Sequence, residues 1–152
     1  PLRAKLSCTS LASTPKPVYE ALSYTWGDAK DRHPVDLDGV HCSVTVHLAV
    51  ALQHLRYKTH SRYLWVDALC IHQGDIIERR EQVAIIRDIY EASVNVLRWL
   101  GEARDDSHLA MDIIKRVDAK KISNRTTYAS AFENLCSRPY WTRTWILQEV
   151  AV

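Results

Sequence analysis

The segment RYLWVDALCI, residues 62–71, is almost continuously apolar and only ten residues long. Asp67 is the only charged residue in its interior. A short apolar run of this kind is typical of a strand buried on both faces, as strands are in a parallel sheet. The segment therefore predicts a central strand of an α/β protein. The single carboxylate inside it is either a structural acid held by backbone amides or part of a site.

Strand and helix patterns alternate on both sides of this segment. Further strands are predicted at 19–26 and 94–100, and a glycine follows each of them. Apolar residues that recur with helical spacing predict helices at 45–57, 75–92 and 107–117, with Asp75 and Ser107 as the caps of the last two. This order predicts a mainly parallel sheet with right-handed crossovers and helices on its faces.

The sequence PVDLDGVHCSV, residues 34–44, alternates apolar and polar residues around Asp38-Gly39. This pattern predicts a β-hairpin with a type I′ turn, inserted into the α/β core. Residues 119–139 are polar and predict an irregular segment with a short helical piece around Phe132 and Leu135. A last helix is predicted at 140–150.

The composition predicts one globular domain spanning residues 1–152. Twenty basic and 18 acidic side chains give a formal net charge of +2, which provides no basic surface for a nucleic acid backbone. No apolar run approaches the roughly 18 residues that cross a bilayer, and no signal peptide is recognisable. We therefore expect a cytoplasmic domain without a nucleic acid or membrane partner. The missing initiator Met predicts that it is a piece of a longer protein.

Several common kinds of site have no signature in the sequence. Cys8, Cys42, Cys70 and Cys136 form no C-x-x-C pair, so no metal site is predicted. Cys70 and His72 lie two residues apart on the predicted strand, a poor geometry for a nucleophile and its base. The chain has four glycines and none of the patterns that cradle phosphates, so no bound cofactor is predicted.

The carboxyl ends of the predicted strands carry the candidate site. Three glycines lie in the segments that follow the predicted strands: Gly27, Gly74 and Gly101. Parallel sheets bind their ligands at this end of the strands, although such glycines also serve as ordinary turn residues. In a helix at 140–150, Trp145 and Glu149 would lie on one side, four residues apart. A carboxylate beside an aromatic ring suits cleavage of a glycosidic bond, where it can stabilise an oxocarbenium-like centre.

Four ordered motifs resemble the fungal heterokaryon incompatibility (HET) domain over about residues 19–150. They are YEALSYTWGD, YLWVDALCIHQGD, ERREQVAIIRDIYEASVNVLRWLG and RTWILQEV; His72 departs from the Asn that is more common in the family. HET domains resemble Toll/interleukin receptor (TIR) domains more distantly, and many TIR domains cleave NAD. The resemblance implies a TIR-like (flavodoxin-like) three-layer sandwich with a central mainly parallel sheet and the hairpin as an insertion.

The resemblance also implies a function and a set of residues. Glu149 would be the catalytic carboxylate, because WILQE is similar to the TIR motif in which a Trp precedes the catalytic Glu by four residues. NAD or a related nucleotide would be the substrate, and self-association would complete the site. The alternative is a non-enzymatic adaptor in which an arginine, such as Arg87 or Arg98, would pair with Glu149. The residues expected to bind the nucleotide are Ser23, Tyr24, Trp26, Gly27, Asp67, Gln73 and Trp145.

Overall fold

The computed structural model describes residues 2–115 and 125–143. Its elements, in chain order, are β1 (Arg3–Ala4), β2 (Glu20–Tyr24), β3 (Arg32–Leu37), β4 (Val40–Thr45), α1 (Val46–Leu55), β5 (Leu64–Trp65), α2 (Asp67–Cys70), α3 (Ile76–Ala84), α4 (Ile86–Ala92), β6 (Asn95–Trp99), α5 (Ser107–Lys115), α6 (Arg125–Cys136) and a 3-10 helix (Pro139–Thr142). The predicted mixed α/β architecture is confirmed within these residues.

The three predicted core strands form one parallel sheet in the order β5–β2–β6. Alternate residues of β2 enter different hydrophobic clusters, as the two-residue repeat of a strand requires. Leu22 and Tyr24 pack with α1 residues such as Leu48, whereas Ala21 packs with Tyr90 of α4. Helices therefore cover both faces of β2, which lies at the centre of the sheet.

The second predicted strand, residues 62–71, is much shorter than its sequence pattern predicted. β5 ends at Trp65, and α2 begins at Asp67. The amide N–H groups of Leu69 and Cys70 both donate to the carbonyl of Val66, which starts the helical turn. A continuous apolar run is compatible with a buried strand and with a buried helix, and here it contains both.

The hairpin at 34–44 is confirmed and extends from β3 into β4. Asp38 and Gly39 both have positive φ, 55° and 80°, as a type I′ turn requires. The hairpin joins the short β1 in a second sheet of order β1–β3–β4. Thr45 then caps α1, since its side-chain oxygen accepts a hydrogen bond from the Leu48 amide.

The long helix predicted at 75–92 is broken into α3 and α4 at Ile85. Asp75 caps α3 as predicted, accepting from the amides of Ile77 and Glu78. Glu78 does not complete a capping box, because its carboxylate accepts from the His72 amide instead. The break leaves α3 without a buried residue, whereas α4 buries part of its surface against the sheet.

The last described elements differ more from the sequence prediction. Helix α6 is longer than the expected short piece, and it packs against α5 through Ala110, Ala131 and Leu135. Ser107 is the first residue of α5 rather than its cap, and its hydroxyl accepts from the Arg104 amide. Residues 140–142 belong to the 3-10 helix, and Arg143 is extended, so no α-helix begins at residue 140. Within the described ranges, no helix is long and apolar enough to cross a membrane.

Candidate functional site

Trp26 and Asp67 meet at the carboxyl end of the central sheet. Trp26 follows β2 by two residues, and Asp67 follows β5 by two. The indole Nε1–H of Trp26 donates to Oδ2 of Asp67 at 2.8 Å. Trp26 keeps 42% of its surface exposed, although its indole nitrogen is fixed. The pair therefore presents an oriented aromatic ring to solvent, which is suited to stacking against a planar ligand.

Asp67 is a hydrogen-bond acceptor for three groups. Besides the Trp26 indole, it accepts from the Ala68 amide at 2.7 Å and interacts with the Tyr24 hydroxyl. Burial raises the pKa of Asp67, while the hydrogen bonds from Trp26, Ala68 and Tyr24 and the charge of Arg143 oppose that rise. The Ala68 amide agrees with the interpretation of Asp67 as a structural acid. Its membership of a site stays a prediction, and the carboxylate also orients an exposed aromatic ring.

Tyr24 lies under this carboxylate and is almost completely buried. Burial is the main cause that raises the pKa of its phenol, and the nearby charge of Asp67 raises it further. The phenol therefore stays neutral at physiological pH and can donate its proton in a hydrogen bond to Asp67. Tyr24 therefore supports Asp67 in the described structure, and its role in ligand binding stays a prediction.

The backbone on each side of the pair is braced as well. The side-chain amide of Gln73 donates to the carbonyl of Asp67 at 2.9 Å. Gly27, next to Trp26, has a φ of +75°, and a Cβ built there would lie 2.7 Å from Cγ of His47. The exposed imidazole of His47 thus sits against the loop that carries Trp26. No sequence signal pointed to His47, since 20 residues separate it from Gly27.

A second set of contacts ties the C-terminal end of the described chain to β2. Ser23 is fully buried, and its Oγ lies 2.6 Å from the hydroxyl of Tyr140. Arg143 donates from its guanidinium to the same Oγ at 3.1 Å and lies 5.5 Å from the centre of the Tyr140 ring. The predicted role of Ser23 in ligand binding stays a prediction; in the described structure its hydroxyl contacts Tyr140 and Arg143 and so anchors the chain.

Six of the eight predicted site residues are therefore at or beside the carboxyl end of β2 and β5. These are Ser23, Tyr24, Trp26, Gly27, Asp67 and Gln73. Glu149 and Trp145 lie outside the described residues. Of the arginines that could have paired with Glu149, Arg87 forms an ion pair with Glu91 at 2.7 Å. The arrangement can orient an aromatic surface, whereas its one described carboxylate is already engaged by three donors.

Cysteine and metal chemistry find little support in the described part of the chain. Cys70 is a free, half-buried thiol whose pKa is raised mainly by burial, the direction that lowers the fraction of reactive thiolate. The neighbouring His72 is exposed. Across residues 2–115 and 125–143, no group of three or more His, Cys, Asp or Glu side chains is placed to hold a metal ion.

Comparisons with known proteins agree with the motifs in the sequence. The model of the family "Heterokaryon incompatibility protein (HET)" matches residues 19–149. The chain is 38% identical over 117 residues to "Heterokaryon incompatibility protein 6, OR allele" of Neurospora crassa. That match covers 68% of this chain but only 17% of the relative. No solved structure gives a significant match. Because the family model covers most of its length, the chain belongs to the heterokaryon incompatibility (HET) family.

Proposed function

We propose that this domain is an effector of fungal nonself recognition and programmed cell death that cleaves NAD at the nicotinamide–ribose bond. Its membership of the HET family and its similarity to a Neurospora heterokaryon incompatibility protein support the biological part of the proposal. In the reaction, water would replace nicotinamide at the ribose carbon, giving ADP-ribose, free nicotinamide and a proton. The domain would act in the cytoplasm, where NAD is its substrate rather than a bound cofactor.

The observation that carries the chemical part is the oriented, exposed ring of Trp26. An NAD base needs an aromatic face to stack on, and the hydrogen bond to Asp67 fixes the orientation of that face in advance. Ordering a ligand site before binding reduces the entropy cost of binding. The ring also lies at the carboxyl end of parallel strands, the place where open α/β sheets bind their ligands.

Glu149 is the proposed catalytic carboxylate, and the anchor on β2 supports this assignment. Tyr140 and Arg143 hold the chain against Ser23, and Glu149 lies six positions after Arg143. Six residues of chain reach at most about 20 Å, so covalent geometry allows Glu149 to approach Trp26. There it would grip the ribose hydroxyls and stabilise the positive charge that develops as nicotinamide leaves. Trp145 would line the same cleft.

The TIR-like arrangement is a further part of the proposal. Its support is the parallel order β5–β2–β6 with hydrophobic clusters on both faces of β2. Doubly covered parallel sheets of this kind include the flavodoxin-like three-layer sandwiches. By the same analogy, self-association of the domain would complete the active site between neighbouring copies.

The decisive experiment measures nicotinamide release from NAD by the artificially clustered domain. We expect the wild type and Glu133→Gln to be active and Glu149→Gln to be inactive. Glu133 is an exposed residue of α6 whose backbone carbonyl accepts from the Ser137 amide, a bond that the substitution leaves in place, so the variant matches the chemical change without touching the site. Equal activity of the two glutamine variants would remove Glu149 from the mechanism.

A non-enzymatic adaptor is the second candidate function, and exposed apolar residues on α3 favour it. Ile76 and Ile77 are 71% and 72% exposed, and no residue of α3 is buried. Exposed apolar side chains of this size are common at protein–protein contacts. An adaptor would self-associate without consuming NAD. Replacing both isoleucines with serine would then abolish assembly, while Glu149→Gln would change nothing.

A further inference from the structure

Exposed apolar side chains gather at the amino end of the central parallel sheet. Val18, Tyr63 and Val94 are 71%, 68% and 62% exposed, and each lies one or two positions before one of the three strands. Two backbone hydrogen bonds bring them together. The Glu20 amide donates to the Tyr63 carbonyl, and the Val94 amide donates to the Tyr19 carbonyl. Exposed apolar surface of this kind is typical of protein–protein contacts.

A basic segment, residues 56–63, lies at the same end of the sheet. It contains three Lys or Arg residues and no acid. Arg62 ties the segment to β2, because its guanidinium donates to both carboxylate oxygens of Glu20, at 2.5 and 3.0 Å. Arg56 and Lys58 are exposed. This segment and the apolar residues beside it form the amino-end surface, which combines apolar side chains with an excess of positive charge.

An acidic segment, residues 101–106, lies at the opposite end of the sheet, after β6. It contains three acids and one arginine, a formal net charge of −2, and all six residues are exposed. The buried Arg138 fixes its backbone by donating to three carbonyls, those of Leu100, Glu102 and Arg104. A segment that is ordered before binding loses less entropy when it docks.

The two oppositely charged surfaces of one copy cannot meet, because the strands lie between them. β2 has five residues and spans about 16 Å, at about 3.3 Å per residue. We propose that the surfaces pair between copies: the amino-end surface of one domain docks on residues 101–106 of the next. Such a contact is head-to-tail, so it repeats in one direction and builds a ring or an open filament. The inference rests on the proposed function, which includes self-association of the domain.

A second copy of the domain fits the charges better than an anionic membrane does. Clusters of about 4–8 Lys or Arg are typical of membrane-binding segments, whereas residues 56–63 contain three, one of them paired with Glu20. The whole chain has a formal net charge of only +2, and the acidic segment lies at the other end of the same sheet. Complementary charges of this kind fix the relative orientation of two copies.

The acidic segment adjoins the candidate site. Tyr24 and Trp99 are paired neighbours in the sheet. Trp26 and Gly101 each lie two positions beyond them. A copy docked on residues 101–106 would therefore lie beside the exposed ring of Trp26, where the proposed function needs a neighbouring copy to complete the active site.

Analytical ultracentrifugation of the intact domain over a range of concentrations tests the inference with two variants. One carries Arg56→Glu and Lys58→Glu at the amino end, and the other carries Glu102→Lys and Asp106→Asn in the acidic segment. Asn is chosen at position 106 because Asp106 has a φ of 55°, which Asn tolerates. We expect each variant alone to self-associate at least about tenfold more weakly than the wild type. An equimolar mixture should form a heterodimer, because the intact amino end of one variant fits the intact acidic segment of the other.

Arg79→Glu with Arg80→Glu is the matched control, since both arginines are exposed on α3 and the change in charge equals that of the amino-end variant. This control should self-associate like the wild type. Raising the salt concentration from about 0.1 M to about 1 M shortens the screening length from about 10 Å to about 3 Å, so it should weaken assembly. Tyr63→Ser with Val94→Ser changes no charge and gives a second reading; it should weaken assembly about tenfold.

Four results would overturn the inference. They are a wild type that stays monomeric up to about 1 mM, a mixture that forms no heterodimer, a control that loses assembly as the other variants do, and assembly that salt leaves unchanged or strengthens. A wild type that binds vesicles containing phosphatidylserine and does not self-associate would identify a membrane surface instead.

Failure of this contact and failure of the proposed chemistry are distinguishable. If the mixture forms no heterodimer while the artificially clustered domain still releases nicotinamide, the head-to-tail contact is wrong and the NAD proposal stands. If Glu149→Gln releases nicotinamide as fast as the wild type while the mixture forms its heterodimer, the NAD proposal fails and the contact stands.

Discussion

Gly27→Ala tests the packing that holds the Trp26 loop. Gly27 has a φ of +75°, and a left-handed backbone costs about 1–2 kcal/mol for a residue with a Cβ. The new methyl would also lie 2.7 Å from Cγ and 3.1 Å from Cβ of His47. Rotation about the Cβ–Cγ bond of His47 leaves both of these atoms in place, so the whole side chain or the loop must shift. That shift costs about 1–3 kcal/mol. We expect a total loss of about 2–5 kcal/mol of unfolding free energy, measured by urea denaturation.

Gly39→Ala is the matched control for the backbone term. Gly39 has a similar φ of +80°, but a Cβ there meets no atom within 4 Å. This variant should lose only about 1–2 kcal/mol. The double change Gly27→Ala with His47→Ala should recover most of the difference between the two glycine sites, because it removes Cγ and leaves only the 3.1 Å contact with Cβ. If Gly27→Ala is no more destabilising than Gly39→Ala, the contact between His47 and the Trp26 loop has no energetic weight.

Three further predictions concern the charged groups of the described structure. Arg62 lowers the pKa of Glu20 through a hydrogen bond, so this pair stabilises the fold above about pH 4 and loses that effect as pH falls through the lowered pKa. Glu20→Gln should flatten that part of the curve of stability against pH, and an unchanged curve would contradict the prediction. The pH dependence that Asp67 contributes has the opposite sign, because burial raises its folded-state pKa: its contribution to stability is complete below about pH 4 and is lost as pH rises through the raised pKa. Asp67→Asn should therefore remove that decline in stability, measured by thermal melts across the pH range, and a decline that stays or becomes steeper would argue against it. Arg138 is 4% exposed and donates to three carbonyls of the loop after β6. Arg138→Met should therefore lower the free energy of unfolding by about 2–4 kcal/mol, measured by denaturant unfolding. A loss under about 1 kcal/mol would show that the loop does not need this arginine.

Local chemistry made parts of the fold predictable from the sequence. The Asp38-Gly39 turn was recognisable because few residue pairs adopt positive φ at two successive positions. Asp75 was recognisable as a helix cap because its short carboxylate reaches free amides of the first turn. Such features depend on neighbours within four residues, so tertiary contacts do not change them.

The elements that were predicted wrongly depend on distant contacts. Nothing near residue 66 in the sequence shows that β5 ends at Trp65. Two positions later, Asp67 bonds to Trp26, which lies 41 positions away along the chain. The break at Ile85 also has no sequence signal of the usual kind, since neither Pro nor Gly is present.

The position of most candidate residues at one end of the sheet was predictable, whereas their contacts were not. Family motifs identified Ser23, Tyr24 and Asp67, whose ligand-binding roles stay predictions, but no sequence pattern indicated that Ser23 bonds to Tyr140 or that Tyr24 is buried beside Asp67. His47 and Arg143 were missed, because their contribution comes from contacts with Gly27 and with Ser23 that only the folded chain creates.

The most direct test of the proposed chemistry is the rate of nicotinamide release from NAD by the clustered domain, compared between the wild type and Glu149→Gln. Loss of a catalytic carboxylate that stabilises a developing cation should lower the rate about 100-fold or more. A wild-type preparation that assembles and releases no nicotinamide, or a glutamine variant that keeps the wild-type rate, would contradict the account.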